Sequence, residues 1–190
     1  VASLELGKGS EIICSPWSMS ATVAAIVQNG CVPVFVDVDH KTFNLDPNKI
    51  ESAITKKTGA ILVTEMYGQS SHIDAILKIA KEHKLLTVSD TAQAIGSKVR
   101  GRHTGTFTDI GGFSFNWHKH INCGEGGMII TNNKKFAKRM ALARNHGEGL
   151  GGKFGHNYRM TEICASLVRQ QLPRLESVIK ERNKIANALK

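Results

Sequence analysis

Asp90, Gln93, Ser114 and Lys119 are the residues of this chain whose types and spacing can carry chemistry. Asp90 directly follows Leu85–Ser89, a short apolar run that reads as a buried strand. A carboxylate at such a strand end serves as a helix N-cap or as a metal or cofactor ligand. Gln93 comes three residues later and reaches the same ligand if Thr91–Ala94 starts to turn. It fits a capping partner or a solvated side chain equally well.

Phe113-Ser114-Phe115-Asn116 alternates apolar and polar residues, as a half-buried strand does. Ser114 and Asn116 then face away from the two phenyl rings. A serine hydroxyl near a strand end can hold a phosphate oxygen, or can bond to neighbouring backbone. Lys119 stands between His118 and His120, just before Gly124-Glu125-Gly126-Gly127. Neighbouring cations and partial desolvation free a lysine amine to attack a carbonyl, although an exposed loop lysine has the same local sequence. His118 and His120 lack a third ligand at a zinc-like spacing, so a metal site is not expected. The glycines form neither a phosphate-binding loop nor a dinucleotide fingerprint, because a strand follows them. Taken together, a strand-end Asp, a later Ser and a Lys five residues beyond it are the parts a pyridoxal phosphate enzyme needs. They supply a pyridinium-nitrogen partner, a phosphate ligand and a Schiff-base lysine.

Strands and helices must alternate to place these residues. Ser20–Asn29 reads as a helix stopped by Gly30, and Val32–Asp37 as a buried parallel strand. Asp46-Pro47 opens a helix, with Asp as N-cap and Pro in the first position. Ala60–Thr64 is the next strand. In Ser71–His83, Ile73, Ile76, Leu77 and Ala80 share one helical face. Met128–Thr131 is a strand, Lys134–Arg144 a helix, and Thr161–Lys190 one long helix or two consecutive ones. Gly147–Gly155 reads as a mobile loop before that terminal helix. The alternation predicts an α/β layered fold with a largely parallel sheet. Ligands in such sheets sit beyond the carboxyl ends of the strands, which picks out Met66–Gly68, Asp90 and the residues after Phe115.

Composition narrows the function classes. The chain has 190 residues, 41% hydrophobic and 22% charged, which excludes a disordered or fibrous chain. No apolar run approaches a membrane span and no signal peptide is visible. The formal net charge of +9 favours anionic partners, but its basic residues are scattered. With two Trp and two Tyr, a base-stacking surface is hard to build, so a nucleic-acid partner is not expected. Cys14, Cys31, Cys123 and Cys164 show no C-x-x-C spacing and read as reduced cysteines of a cytoplasmic protein.

Ser89-Asp-Thr-Ala-Gln-Ala-Ile-Gly96, Gly111-Gly-Phe-Ser-Phe115, Lys119 and Gly124-Glu-Gly-Gly-Met128 together resemble the DegT/DnrJ/StrS family of pyridoxal phosphate-dependent sugar aminotransferases. Val34–Asp39, Asn44-Leu-Asp46, Tyr67-Gly68 and His156-Asn-Tyr-Arg-Met160 fit the same pattern in the same order. The resemblance implies the large domain of a three-layer fold-type I transferase, with a mostly parallel central sheet. It also implies that residues 1–190 are that domain without its preceding phosphate-loop segment, and that 161–190 lead towards a small C-terminal domain.

The resemblance implies roles as well. Lys119 matches the Schiff-base lysine that also shuttles a proton. Asp90 matches the partner of the pyridine nitrogen, Gln93 a contact to the ring's phenolic oxygen and Ser114 a phosphate ligand. Asn157 matches an asparagine that reaches the phosphate of the neighbouring subunit, which implies a homodimer with shared sites. The ring-stacking position falls on Met19, with Trp17 two residues earlier. The implied reaction moves an amino group, from glutamate, onto a keto sugar that is nucleotide-linked, in polysaccharide or aminosugar biosynthesis. The rival readings are other sugar chemistry on the same cofactor and a non-catalytic sensor. Lys119 argues against both: dehydratase relatives carry His at that position, and a sensor has no chemical need of the amine.

Overall fold

Two apolar positions in succession, each followed by another of the same kind, force a strand to bury both faces. Ile12-Ile13-Cys14 and Ala60-Ile61-Leu62-Val63 have that pattern, and all of these residues are buried. The computed structural model describes residues 1–148 and 154–189; residues 149–153 of the Gly147–Gly155 stretch lie outside them.

In chain order the elements are β1 (Glu11–Cys14), α1 (Ser20–Val27), β2 (Val32–Phe35), β3 (Thr58–Thr64), α2 (Ile73–Glu82) and β4 (Leu86–Asp90). There follow β5 (Lys98–Val99), β6 (Arg102–His103), β7 (Ile110–Ser114), β8 (Gly127–Ile130), α3 (Lys134–Arg144), α4 (Glu162–Gln171) and α5 (Leu175–Ala188). The main sheet has the order β2-β1-β3-β4-β7-β8. All neighbours are parallel except β7 and β8. A small β5-β6 hairpin stands apart from it.

Alternate residues of β1 and β3 feed two separate cores. Ile12, Cys14, Ala60 and Leu62 pack with Ile26 of α1 and Phe136 of α3. Ile13, Ile61 and Val63 pack with Ile73, Ile76 and Ala80 of α2. Helices therefore cover both faces, and the chain has the three-layer α/β fold with a mostly parallel sheet. A third cluster joins Phe115 and Ile121 to Val168 of α4, with Leu175 of α5 against it. Those two helices brace the turn that carries Lys119.

The structure corrects two local expectations and decides between the two alternatives left for the C-terminal segment. The Val32–Asp37 run forms β2, parallel as expected, but it is the sheet edge: Val32 is 47% and Phe35 54% exposed. An apolar run records β-propensity and not the strand's place in the sheet. Asp46 does cap, accepting from the Asn48 N–H at 3.0 Å, but only two 3₁₀ turns follow, Pro47–Lys49 and Glu51–Ala53. A local cap starts a helix without extending it. Residues 161–189 form two helices, separated at Leu172-Pro173-Arg174. Thr161 caps the first, its hydroxyl accepting from Cys164 N–H at 3.2 Å.

Gly111 of β7 faces backbone. A Cβ placed there would lie 2.0 Å from the carbonyl oxygen of Gly105, whose own φ is +77°. Gly111→Ala is expected to destabilise the protein by about 2 kcal/mol, the usual cost of overpacking a site that cannot yield. Gly7→Ala, where the nearest atom is 3.9 Å away, is expected to change little. Urea unfolding of the two variants checks the difference.

Candidate active site

Four parallel strands deliver their carboxyl ends to one edge of the sheet. There β1 leads to Ser15–Met19, β3 to Glu65–Gly68, β4 to Asp90–Gln93, and β7 to Asn116–Lys119. The chain leaves β1 towards β2 on one side and returns as β3 on the other. That reversal is the switch point at which open α/β sheets bind ligands.

Asp90 ends β4 half-buried, and its two oxygens are separately held. The Thr22 hydroxyl of α1 donates to Oδ2 at 2.7 Å, and Ala92 N–H donates to Oδ1 at 3.1 Å. Thr22 in turn shares a 2.7 Å hydrogen bond with the Ser18 hydroxyl. Thr91–Ala94 does turn, with Ala94 N–H on the Thr91 carbonyl at 3.0 Å. This aims Gln93 at the loop after β3, where its Oε1 accepts from Tyr67 N–H at 2.9 Å. The acceptor end of the amide is thereby committed, and its Nε2 donors remain for a ligand.

The Met66–Ser71 loop is tied at nearly every residue. Asn44, itself 1% exposed, accepts from Met66 N–H at 2.8 Å and donates to the Gln69 carbonyl at 3.3 Å. Ser97 donates to the Gly68 carbonyl at 2.6 Å. Ser71 N–H donates to Glu65 at 2.7 Å. These ties hold Tyr67 in the left-handed region at φ +55°, a costly state for a residue with a side chain. The result leaves the Tyr67 ring exposed, in an edge-on contact with Phe43, which also lies beside Trp17.

Lys119 is half-buried in a turn closed by its own N–H on the Asn116 carbonyl at 2.9 Å. Burial, then the charges of Arg182 and Lys119, hold His120 below the usual imidazole range. It is therefore neutral at pH 7 and adds no second charge beside the amine. Lys119 and Gln93 line one cleft of about 730 Å³, together with Tyr67 and Gly68. Lys98 and, from α5, Arg182 line its other side.

Asp90 is not among the residues that line this cleft, and the remaining expected residues lie elsewhere too. Ser114 Oγ accepts from Asn116 N–H at 3.3 Å and does not line the cleft. Met19 is the N-cap residue of α1 and 65% exposed, whereas Trp17 carries the ring contact. Asn157 is exposed, bridged to Asn145, and its Oδ1 accepts from Arg159 at 3.0 Å.

Sequence reasoning missed Thr22 and Glu65. Thr22 lies 68 residues from Asp90, and a threonine in a helix's first turn carries no distinctive signal. Glu65 is 1% exposed, and burial pushes its carboxyl up to about 7. The one signal for Glu65 was its position, a carboxylate immediately beyond the buried strand β3.

The site fits pyridoxal phosphate. Asn116 Oδ1, in the turn that carries Lys119, is buried with no hydrogen-bond partner among the described residues, as is Thr91 Oγ1 next to Asp90. Such an orphaned acceptor fits a polar ligand in the completed site. Asp90, Gln93 and Lys119 are an acceptor, a donor and a nucleophile, the chemical types that the ring's nitrogen, oxygen and aldehyde would call for. No group of three His, Cys, Asp or Glu side chains among the described residues is arranged to hold a metal ion. No helix among them is long and apolar enough to cross a membrane.

The sequence profile of the DegT/DnrJ/EryC1/StrS aminotransferase family matches residues 1–190. The chain is 37% identical over 193 residues to the GDP-perosamine synthase of Escherichia coli O157:H7, covering 99% of this chain and 53% of that protein. Among solved structures, a DegT DnrJ EryC1 StrS aminotransferase from Brucella abortus superposes with a TM-score of 0.91 at 29% identity, over 96% of this chain and 52% of that one. NtdA from Bacillus subtilis, determined with bound cofactor PMP, superposes with a TM-score of 0.81 at 36% identity, over 87% and 39%. The chain thus spans about half the length of the curated relatives it matches.

Proposed function

The chain belongs to the DegT/DnrJ/EryC1/StrS aminotransferase family, and we propose that the protein it forms is a pyridoxal phosphate-dependent sugar aminotransferase. It takes an amino group from glutamate and places it on a nucleotide-linked keto sugar, in polysaccharide or aminosugar biosynthesis. The observation that carries this reading is the convergence of Lys119 and Gln93 on one cleft beside the strand end that bears Asp90. The cationic Lys98, which also pairs with Glu176, and Arg182 line the same cleft and suit an anionic, nucleotide-bearing acceptor. The GDP-sugar named in the relative from E. coli points the same way.

When bound, pyridoxal phosphate supplies an aldehyde that captures amines and a ring that accepts electrons. Lys119 would hold the group through its Nζ and would move a proton at that same amine. Asp90 would accept a hydrogen bond from the protonated ring nitrogen and keep it charged, and Thr22 and Ala92 each donate to one of its carboxylate oxygens. Gln93, with its Oε1 occupied by Tyr67, donates from Nε2 to the ring oxygen. Ser114 holds phosphate, and the side chain at Met19 or Trp17 covers the ring. Asn157, exposed and outside the cleft, would serve a second copy of the chain in a homodimer with shared sites, the arrangement the family resemblance implies.

Adding pyridoxal phosphate to the whole protein, reducing with borohydride and mapping the peptides tests the assignment. The pyridoxyl label is expected on Lys119. A label on other lysines alone, or none, overturns it.

A further inference from the structure

Cys123 and Cys164 lie 41 residues apart and show no motif, yet the fold brings the Cys164 thiol against the backbone of Cys123. The Cys164 thiol donates to the Cys123 carbonyl at 3.6 Å, and burial, then the neighbouring Cys164, raise the Cys123 thiol above its ordinary value. Cys123 Sγ also stands 3.9 Å from Met160 Sδ. Cys123 Sγ and Met160 Sδ, but not Cys164, crowd onto Gly126, where a Cβ would lie 2.8 Å from each of the two. Their elements are already docked without a covalent link. Gln171 of α4 accepts from Asn122 N–H at 3.1 Å and donates to the Asn122 carbonyl at 2.7 Å. Each cysteine is partly exposed, whereas Cys14 and Cys31 are buried.

We propose that Cys123 and Cys164 are a reversible modification site that closes to a disulfide in exchange with a small-molecule disulfide such as oxidised glutathione. One cysteine, as thiolate, attacks a glutathione sulfur, breaks the S–S bond and releases one glutathione thiolate. The second, as thiolate, attacks the mixed disulfide and releases the other. The cysteine pair loses two protons and two electrons, and oxidised glutathione is reduced to two glutathione molecules. The new bond ties the turn bearing Lys119 to the first turn of α4, where Cys164 follows the Thr161 cap. Oxidation therefore restrains the segment that positions the amine, and reduction releases it.

The test uses the whole protein, incubated with oxidised glutathione, quenched with iodoacetamide and mapped under non-reducing conditions. A linked peptide joining Cys123 to Cys164 is expected, and it disappears on adding dithiothreitol. In Cys164→Ser, glutathione is expected to stay on Cys123, because the resolving thiol is absent. Cys14 and Cys31 are expected to carry no glutathione in the folded protein. Alkylation of both Cys123 and Cys164 in the oxidised wild type, or a glutathione adduct that persists there without a linked peptide, overturns the proposal. The readout is the peptide map, so it stands or falls apart from the proposed transamination.

Discussion

Lys119→Ala is expected to reduce turnover of amino donor and keto acceptor by at least about 10²–10⁴-fold, the share that proton transfer alone contributes. That corresponds to roughly 3–5 kcal/mol of transition-state stabilisation, and loss of the nucleophile adds to it. The loss belongs in kcat, because the interactions removed are made during the chemical step. Stability should barely change. Lys119 makes no side-chain hydrogen bond or ion pair among the described residues, and the turn that bears it is closed by backbone. Its neighbours Phe115 and Ile121 carry the packing, at 1% exposure each. Steady-state kinetics and urea unfolding of the same preparation check both halves. Wild-type turnover in the variant would sink the aminotransferase reading. A large stability loss would show that Lys119 is structural.

The parts of this fold that were legible are those written in local pattern. The face of α2 was readable because Ile73, Ile76 and Ala80 recur at helical spacing and meet a single core. Lys134–Arg144 was legible over its full span, and the structure adds the caps that start α3 and α4, Asn133 taking two backbone donors and Thr161 one. Four-residue β1 is too short for pattern to mark, and only its pairing with β2 and β3 defines it. The edge position of β2 was likewise invisible, since strand order is decided by partners distant in sequence.

The candidate site divides along the same line. Asp90, Gln93 and Lys119 could be named because each sits at or just beyond a strand end within a recognisable run. What fixes them could not. The Asp90–Thr22 bond spans 68 residues, the Tyr67–Gln93 bond 26, and the Cys123–Cys164 contact 41. These are products of topology, and no residue within them is unusual in its own neighbourhood.

Glu65→Gln is expected to remove a pH dependence of stability worth about 3 kcal/mol, at 1.36 kcal/mol per unit of pKa shift. Burial pushes the Glu65 carboxyl from an ordinary 4.5 to about 7, against the opposing hydrogen bonds of Ser71 and Ser70. The charge of Asp90 raises it further, and Glu65 N–H donates to the Asp90 carbonyl at 2.9 Å. The folded protein therefore holds this proton where the unfolded chain has released it. The native state binds more protons between the two values, so stability falls as pH rises from about 4.5 through about 7. The contribution is fully present below the lower value and gone above the upper one. Glutamine keeps an acceptor for Ser71 N–H and has no proton to lose. Wild type and variant should coincide near pH 4.5, and the variant should be the more stable at pH 8. Urea unfolding across that range decides the matter. Parallel curves would mean that Glu65 ionises in the fold as it does in the unfolded chain. A convergent pair would mean that the carboxyl under the Tyr67–Ser71 loop stays neutral in mild acid, leaving Asp90 without a like charge beside it.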